Sequence, residues 1–304
     1  MSKHFLRYGC LIAGLAGLAF VSGCATVAQV GAQVGQAAGG ITPQQAESLV
    51  KSAEAVEKTF KDITPEQEYF IGRSVGATIV STYKVYDNDK ATRYLNVLGQ
   101  SVARFSDMPD TFKGYRFLIL ESDEINAFAA PGGFIFISRG MIRLCRTEDD
   151  LAAIIAHEVG HVQLRHAVKA IKSSRLTSAL TILAMEGAKS FGGEQLAQLT
   201  TAFEGSIGDI TSTMMNSGYA RGQEREADRA AIVILQRMGY RQASLVDVLG
   251  RMGKVLETDH RGFGATHPPA DTRIKELLPI IDDTKTPVPT AARKQRFDRL
   301  MQGI

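Results

Sequence analysis

The stretch that decides the fold is LAAIIAHEVGHVQLRHA, residues 151–167, with the motif HEVGH at 157–161. Apolar residues recur around the motif with helical periodicity. Thr147 and the acidic Asp150 three residues later are typical of a capped helix start. The sequence therefore predicts one helix that begins near Thr147, carries the motif in its middle and continues to about Ile171.

The two histidines of the motif are spaced for metal binding. On a helix, residues four apart lie on one face with Cβ atoms ~5–6 Å apart, so the imidazoles of His157 and His161 can converge on one ion at ~2.0–2.1 Å. Glu158 projects from the flank of that face and can reach a water molecule on the metal without displacing a histidine. The alternative is a helix with two surface histidines and an acid. The capped, apolar setting favours a zinc site with Glu158 as the base that activates water.

A third protein ligand is expected, because catalytic zinc usually has three protein ligands and a water molecule. The later segment GQEREAD, residues 222–228, supplies two acids four positions apart, Glu224 and Asp228. They share one face of a predicted helix, whereas Glu226 falls about 180° from their midpoint and is predicted to face solvent. One of the two acids can therefore bind the metal while the other supports it. Without the upstream motif, a solvated acidic face would be the preferred interpretation.

Short strands and further helices surround the motif helix. Strand-like segments are YRFLIL at 115–120, residues 126–130 and FIFIS at 134–138, with a Pro-Gly-Gly turn at 131–133. Helical patterns cover 64–83, 89–105, 223–238, 244–257, 270–280 and 291–300. The apolar run at 176–185 is too short for a membrane span, which needs ~20 residues, and is predicted to pack over the core. The predicted fold class is α+β, mostly helical, with a small sheet next to the zinc-binding helix.

The N-terminus resembles a bacterial lipoprotein signal. Residues 1–23 have a basic start and an apolar core, and Val-Ser-Gly-Cys at 21–24 is similar to the lipobox that is cut before a lipidated cysteine. This pattern predicts lipidation at Cys24, and Ala25 resembles the pattern for sorting to the outer membrane. An ordinary signal peptide with a chance cysteine is the alternative. Residues 24–63 are predicted to be a flexible tether with room for a helix, which would place the protein in the periplasm at the inner face of the outer membrane.

The charge balance argues against a general nucleic-acid binder. The chain carries +3 at pH 7, and loss of Lys3 and Arg7 with the signal leaves +1, whereas a nucleic-acid-binding domain usually carries a basic stripe. With Cys10 and Cys24 in the N-terminal segment, Cys145 remains as the one ordinary thiol. The sequence therefore predicts no disulfide framework within one chain and makes Cys145 a small packing residue.

Four segments resemble the HtpX-like and CAAX-prenyl-protease-like gluzincin metallopeptidases, in particular their periplasmic lipoprotein branch. The segments are INAFAAPGGFIFISRGMI (125–142), the motif helix (151–167), QEREADRAAI (223–232) with MGY (238–240), and THPPADTRI (266–274). The resemblance spans roughly residues 64–280 and implies a zinc metallopeptidase domain over that range. Residues 281–304 would then form a basic tail, whose helix is predicted to be solvated.

The resemblance assigns roles to individual residues. It implies that Glu224 is the third zinc ligand and that Asp228 orients a ligating imidazole. The alternative for Asp228 is a salt bridge to a nearby arginine. The resemblance also implies that His267 approaches the metal and can hold the enzyme closed. Arg273 would lie near the metal, where it could stabilise an oxyanion or pair with an acid on the surface. His166 lies off the metal-facing stripe and is predicted to be structural.

The strand at 134–138 resembles the edge strand of the family. An extended substrate could add to such a strand through main-chain hydrogen bonds. The predicted substrate contacts are Phe134, Ile135, Phe136 and Ile137.

The function implied by the resemblance is zinc-dependent cleavage of unfolded or misfolded envelope proteins, with one zinc ion per chain and Glu158 activating the water. The expected partners are extended polypeptides, the membrane through Cys24, and the outer-membrane assembly machinery, with no nucleic acid. The alternative is a chaperone or assembly factor for outer-membrane proteins that uses the same cleft with little proteolysis. The intact Glu158 favours the enzyme, because a pure binding protein would not need it.

Overall fold

A computed structural model of the protein describes residues 63–171, 193–256, 267–284, 286 and 289–304. The chain forms two compact units, Met1–Ile63 and Thr64–Ile304, and every element named below belongs to the second. The predicted signal, the tether and the apolar run at 176–185 lie outside the described residues.

Helices dominate the described chain and a small mixed sheet accompanies them, so the predicted fold class is confirmed. The strands are β1 (Arg116–Leu120), β2 (Ala127–Ala130) and β3 (Phe134–Ser138). The helices are α1 (Pro65–Thr82), α2 (Asp89–Ala103), α3 (Arg139–Leu144), α4 (Glu148–Gln163), α5 (His166–Lys169), α6 (Gly193–Ser212), α7 (Arg221–Met238), α8 (Ala243–Leu256), α9 (Ala270–Leu277) and α10 (Ala291–Met301). Within the described ranges, no helix combines the length and the apolar character that a membrane crossing requires.

The ends of three helices follow from local sequence. At the start of α1, the Gln67 amide donates to the Thr64 side chain and the Thr64 amide donates to the Gln67 side chain. Thr147 and Asp150 form the same reciprocal pair at the start of α4. Gly239 ends α7 in the left-handed conformation with φ 70°, which glycine adopts without a steric penalty. These predicted boundaries are confirmed.

The motif helix is shorter than predicted. α4 ends at Gln163, and Arg165 adopts a left-handed conformation with φ 54° before α5 begins at His166. Few non-glycine residues occupy this region, and Arg165 is held there while its Nε donates to Glu68 Oε2 at 2.9 Å. The prediction of one continuous helix beyond this point is therefore wrong. The break turns His166 back against His161.

The strand β3 lies in the middle of the sheet, whose order is β1-β3-β2. It runs parallel to β1 and antiparallel to β2. The prediction that Phe134, Ile135, Phe136 and Ile137 form an edge strand open to substrate is therefore wrong, because β1 and β2 take both main-chain edges of β3. The turn at Pro131–Gly133 folds β2 back onto β3 as a hairpin, and this leaves β2 at the edge.

The helix α4 lies at the centre of the fold and is buried at every position from Glu148 to Val162. It packs against α2, α7, α8 and β2. A polar side chain on such a helix needs a partner inside the protein. Glu148 meets this need by accepting hydrogen bonds from the hydroxyls of Tyr94 and Tyr240 at 2.6 and 2.8 Å. The metal-motif helix is therefore anchored at its first turn.

Among the described elements, α7 makes the most extensive contact with α4, and a glycine permits this close packing. A Cβ at Gly160 would lie 2.9 Å from the carbonyl oxygen of Ala227 and 3.2 Å from the Cβ of Ala230. A larger residue would therefore push α7 away. Since Ala227 lies between Glu224 and Asp228 along α7, this close packing brings both acids to the motif histidines.

The C-terminal helix α10 packs onto the domain. Phe297 is buried in the core, Arg293 donates to Asp149 at 2.9 Å, and Arg296 donates to Glu148 at 2.6 Å. Most positions of α10 are exposed, as predicted for a surface helix, but the prediction that the helix is only solvated is wrong, because Phe297 and Leu300 are buried. Two of the arginines that look like a basic tail in the sequence instead bind the first turn of α4.

Candidate metal centre

Four side chains bring ligand atoms together where α4 faces α7. The ligand atoms of His157, His161, Glu224 and His267 all lie within 4.8 Å of one another. The Nε2 atoms of His157 and His161 are 3.1 Å apart. Glu224 Oε2 lies 3.7 Å from His157 Nε2, and Glu224 Oε1 lies 3.4 Å from His161 Nε2. The structure thus brings together the three residues that the sequence singled out as ligands.

This donor set fits a zinc ion. Zinc ligands at 2.0–2.1 Å in a tetrahedron lie ~3.3 Å from one another, and the three separations of 3.1, 3.4 and 3.7 Å surround that value. Glu224 Oε1 is buried and has no hydrogen-bond partner among the described residues, although an unsatisfied buried acceptor is unfavourable. Burial and the neighbouring His157 lower the pKa of His161 well below its usual value, so that ring stays neutral, as a metal ligand must be.

Asp228 and Arg273 support His157 from behind. Asp228 Oδ1 lies 2.9 Å from His157 Nδ1. Arg273 Nε and Nη2 donate to the two oxygens of Asp228 at 2.9 and 2.6 Å. Burial alone would raise the pKa of Asp228, but Arg273 and His157 hold it well below its usual range. Asp228 therefore remains a carboxylate that can orient the imidazole.

Arg273 is buried, with 2% of its surface exposed, so the alternative of an ion pair on the surface is wrong. Its guanidinium contacts Asp228, and Nη2 lies 3.3 Å from His157 Nδ1. Nη1 lies 4.0 Å from Glu224 Oε2. Arg273 thus sits beside the ligand cluster, where it carries positive charge into a buried, largely acidic and histidine-lined site.

His166 and Glu226 form a second set of contacts, behind His161. His166 Nδ1 lies 3.0 Å from His161 Nδ1, and His166 Nε2 lies 3.1 Å from Glu226 Oε2. Burial lowers the pKa of His166 to about 4. Glu226 is exposed, as predicted, yet it binds His166. The sequence did not indicate this set of contacts, because the helix break at Arg165 is what brings His166 onto His161.

Glu158 is buried beside the ligands. Its Oε1 atom has no hydrogen-bond partner among the residues that the structure describes. Burial raises the pKa of Glu158 to about 7. A carboxyl group with a pKa near neutrality can both accept and release a proton, as a general base requires.

His267 also reaches the ligand cluster. Its Nδ1 lies 2.6 Å from Glu224 Oε2, and its ring centre lies 5.6 Å from that of His157 and 6.1 Å from that of His161. The loop before α9 therefore supplies a fourth potential nitrogen ligand.

Sequence reasoning missed Tyr219. This residue follows Gly218 in the turn before α7, and its ring stacks on His161 with centres 4.4 Å apart and an interplanar angle of 22°. Burial raises the pKa of Tyr219, and the charges of Glu158 and Glu224 add to this effect. No local pattern marks such a tyrosine, since long-range packing sets its position.

Comparison with known proteins agrees with this arrangement. The sequence model of peptidase family M48 matches residues 89–281, a range that contains all the side chains of the ligand cluster.

Three relatives illustrate the range of similar proteins. The chain is 26% identical to the beta-barrel assembly-enhancing protease of Yersinia pestis over 76% of this chain and 50% of the relative. It is 26% identical to metalloprotease LoiP of Escherichia coli strain K12, over 66% of this chain and 73% of the relative. It is 24% identical to mitochondrial metalloendopeptidase OMA1 of Schizosaccharomyces pombe, over 72% of this chain and 63% of the relative. The chain spans half or less of the length of the assembly-enhancing proteases that it matches.

Proposed function

The chain belongs to peptidase family M48, and we propose that it is a zinc-dependent endopeptidase. In this proposal His157, His161 and Glu224 hold one zinc ion, and Glu158 is the general base. The observation that carries the proposal is the convergence of two imidazole nitrogens and one carboxylate within 3.1–3.7 Å. Beside them lies Glu158, whose buried Oε1 has no hydrogen-bond partner among the described residues.

The chemistry divides between the metal and Glu158. Bound zinc would supply Lewis-acid polarisation of the scissile carbonyl and would make a water molecule more acidic. Glu158 takes a proton from the attacking water as the C–O bond forms. It then delivers that proton to the leaving amine nitrogen as the C–N bond breaks. Its buried position keeps competing solvent away from the carboxylate.

The supporting contacts hold the ligands in place before substrate arrives. Asp228, itself fixed by Arg273, orients His157. His166 orients His161 from the opposite side. Such partners of metal ligands fix the ring orientation and raise ligand basicity.

Extended polypeptides are the proposed substrates, and β2 is the proposed docking strand. The carbonyl of Asn126 accepts a bond from the amide of Ser138, so by antiparallel alternation the main-chain groups of Ala127 and Ala129 face away from β3. All four residues of β2 are buried, so the edge has to be uncovered before an extended chain can add to it. Replacing Ala129 with proline removes an outward N–H, so KM should rise in a variant that keeps its zinc content and its urea-unfolding midpoint; an unchanged KM would exclude this edge.

A closed resting state is proposed for His267. With Nδ1 at 2.6 Å from Glu224 Oε2, this side chain lies where substrate would need to approach a metal held by Glu224. Displacement of the His267 side chain from Glu224 would then be required for turnover. His267→Ala should raise the initial rate of peptide cleavage, and a lower rate with unchanged zinc content would contradict the closing role.

The cell envelope is the proposed location. The lipobox-like sequence supports an anchor at Cys24, and two acyl signals suffice for stable attachment to a membrane. Relatives named for β-barrel assembly support the outer-membrane assembly machinery as a partner and misfolded envelope proteins as substrates. Fractionation of Cys24→Ser tests the anchor, because this variant should leave the membrane fraction.

The decisive experiment separates a protease from a chaperone. Casein or an unfolded outer-membrane protein is incubated with the wild type, with Glu158→Gln, with chelated enzyme, and with the control Glu66→Gln, which changes an exposed acid on α1. The wild type and the control should cleave, and the other two should not. If no preparation cleaves but all suppress aggregation of the substrate, the chaperone alternative replaces the proposal.

A further inference from the structure

Tyr219 is close in sequence to Glu224, the proposed third zinc ligand. It lies five residues before Glu224, next to Gly218, whose φ of 72° turns the backbone before α7 begins. The segment that delivers the third ligand therefore also delivers this ring. Any movement of the start of α7 would move both side chains together.

The ring of Tyr219 covers one face of His161. The two rings are nearly parallel, at 22°, with centres 4.4 Å apart. Because His161 is also held at Nδ1 by His166, its imidazole is restrained on its face and on its edge. The ring thus has a clear packing role, but this role would be filled equally well by phenylalanine.

The hydroxyl of Tyr219 is not explained by packing. It is buried, and across the described part of the chain no group makes a hydrogen bond to it. An unsatisfied buried hydroxyl is unfavourable, and most tyrosines in such a position find a partner. Tyrosine has an ordinary pKa near 10, so at neutral pH this group is a protonated donor on a ring that stacks on the proposed metal ligand His161.

We propose that Tyr219 is a catalytic residue whose hydroxyl donates a hydrogen bond to the substrate oxygen that becomes negatively charged when water attacks the carbonyl. The tyrosine keeps its proton, and the hydrogen bond strengthens as the C=O bond becomes a C–O⁻ single bond. This role rests on the proposed peptidase function. In this role the buried hydroxyl finds a hydrogen-bond acceptor of full strength only in the transition state. An interaction that is stronger in the transition state than in the bound substrate raises kcat and does not lower KM.

The test compares Tyr219→Phe, which removes only the hydroxyl, with Tyr219→Leu, which also removes the ring. The control is Tyr83→Phe, which deletes a hydroxyl bonded to Glu124 away from the metal centre. Zinc-loaded Tyr219→Phe should keep wild-type zinc content and KM within about threefold, while kcat falls ~100–1,000-fold, the range for loss of one oxyanion donor. Tyr219→Leu should in addition lose zinc affinity.

A binding measurement makes the test independent of turnover. A phosphinic peptide, which presents a tetrahedral oxyanion, should bind Tyr219→Phe at least tenfold more weakly than the wild type. A product peptide with a free carboxyl end should bind both proteins alike. The apparent melting temperature of the apo variant should not fall, because the lost hydroxyl makes no hydrogen bond in the resting protein.

Two results would overturn the proposal. If Tyr219→Phe retains kcat within twofold of the wild type, or if its activity falls only in proportion to lost zinc, the residue is a packing element. Failure of the proposed peptidase function looks different, because then the wild type itself shows no cleavage that depends on Glu158. In that case unequal binding of the phosphinic peptide would still report on the hydroxyl.

Discussion

Replacing Gly160 with alanine should separate the two helices that carry the metal ligands. The new Cβ would lie 2.9 Å from the carbonyl oxygen of Ala227, whereas ordinary contact begins at 3.4 Å, so α4 and α7 must part by about 0.5 Å. Metal sites tolerate ligand displacements of only ~0.2 Å. The zinc dissociation constant should therefore rise by ~10–100-fold, comparable to the loss of a ligand's supporting partner.

The effect on stability is expected to be smaller than the effect on zinc. Alanine gains about 1 kcal/mol over glycine in a helix interior, and overpacking costs about 1–3 kcal/mol. The free energy of unfolding of the apo protein should thus fall by at most ~2 kcal/mol. Zinc affinity is measured by competition with a chromophoric chelator, and stability by urea unfolding of the same apo sample.

A matched control is Gly250→Ala in α8. The nearest atom to a Cβ at this position is Ile274 Cδ1 at 4.0 Å, so alanine fits and should stabilise the helix by up to ~1 kcal/mol without changing zinc affinity. Wild-type zinc affinity in Gly160→Ala would refute the reasoning that glycine sets the distance between the ligand helices. Equal losses in both variants would refute it as well.

Two further changes test the surroundings of the metal centre, and a third tests the packing of α10 against the first turn of α4. Asp228→Asn should weaken zinc binding ~10–100-fold in chelator competition, because His157 loses its carboxylate partner; unchanged binding would show that the contact is incidental. His166 has a folded-state pKa of about 4, below its ordinary value of ~6.5. As the pH falls, the unfolded chain therefore binds a proton at this residue before the folded protein does. The free energy of unfolding should decrease as the pH falls from ~6.5 to ~4. The His166→Asn protein should show a flatter pH dependence of its unfolding free energy, and an identical slope would contradict the assignment. Arg293→Met should destabilise the fold by ~3 kcal/mol, since it leaves the buried Asp149 without its ion pair, whereas Arg299→Met on the exposed side of α10 should change urea unfolding by less than ~0.5 kcal/mol.

The ligand set could be predicted because it depends on local spacing. Two histidines four apart on one helix, and two acids four apart on another, each share a face whatever the rest of the fold does. The caps at Thr64 and Thr147 and the left-handed Gly239 were predictable for the same reason. Each depends on side-chain and backbone chemistry within one turn.

The errors concern contacts between distant segments. The strand β3 lies in the middle of the sheet because β1 pairs with it in parallel. The sequence of β3 does not encode this pairing. Arg293 and Arg296 read as solvated charges, since their partners Asp149 and Glu148 lie more than a hundred residues earlier in the chain. The break at Arg165 carries no glycine or proline signal, so nothing local predicted the contact behind His161.

The central claim is that His157, His161 and Glu224 bind one zinc ion. It is tested most directly by X-ray absorption spectroscopy of the purified protein together with its metal content, for the wild type and for Glu224→Ala. The wild type should hold one zinc with imidazole nitrogens and a carboxylate oxygen at ~2.0–2.1 Å, and the variant should lose most of its zinc. An unchanged zinc content and an unchanged spectrum in Glu224→Ala would contradict the account.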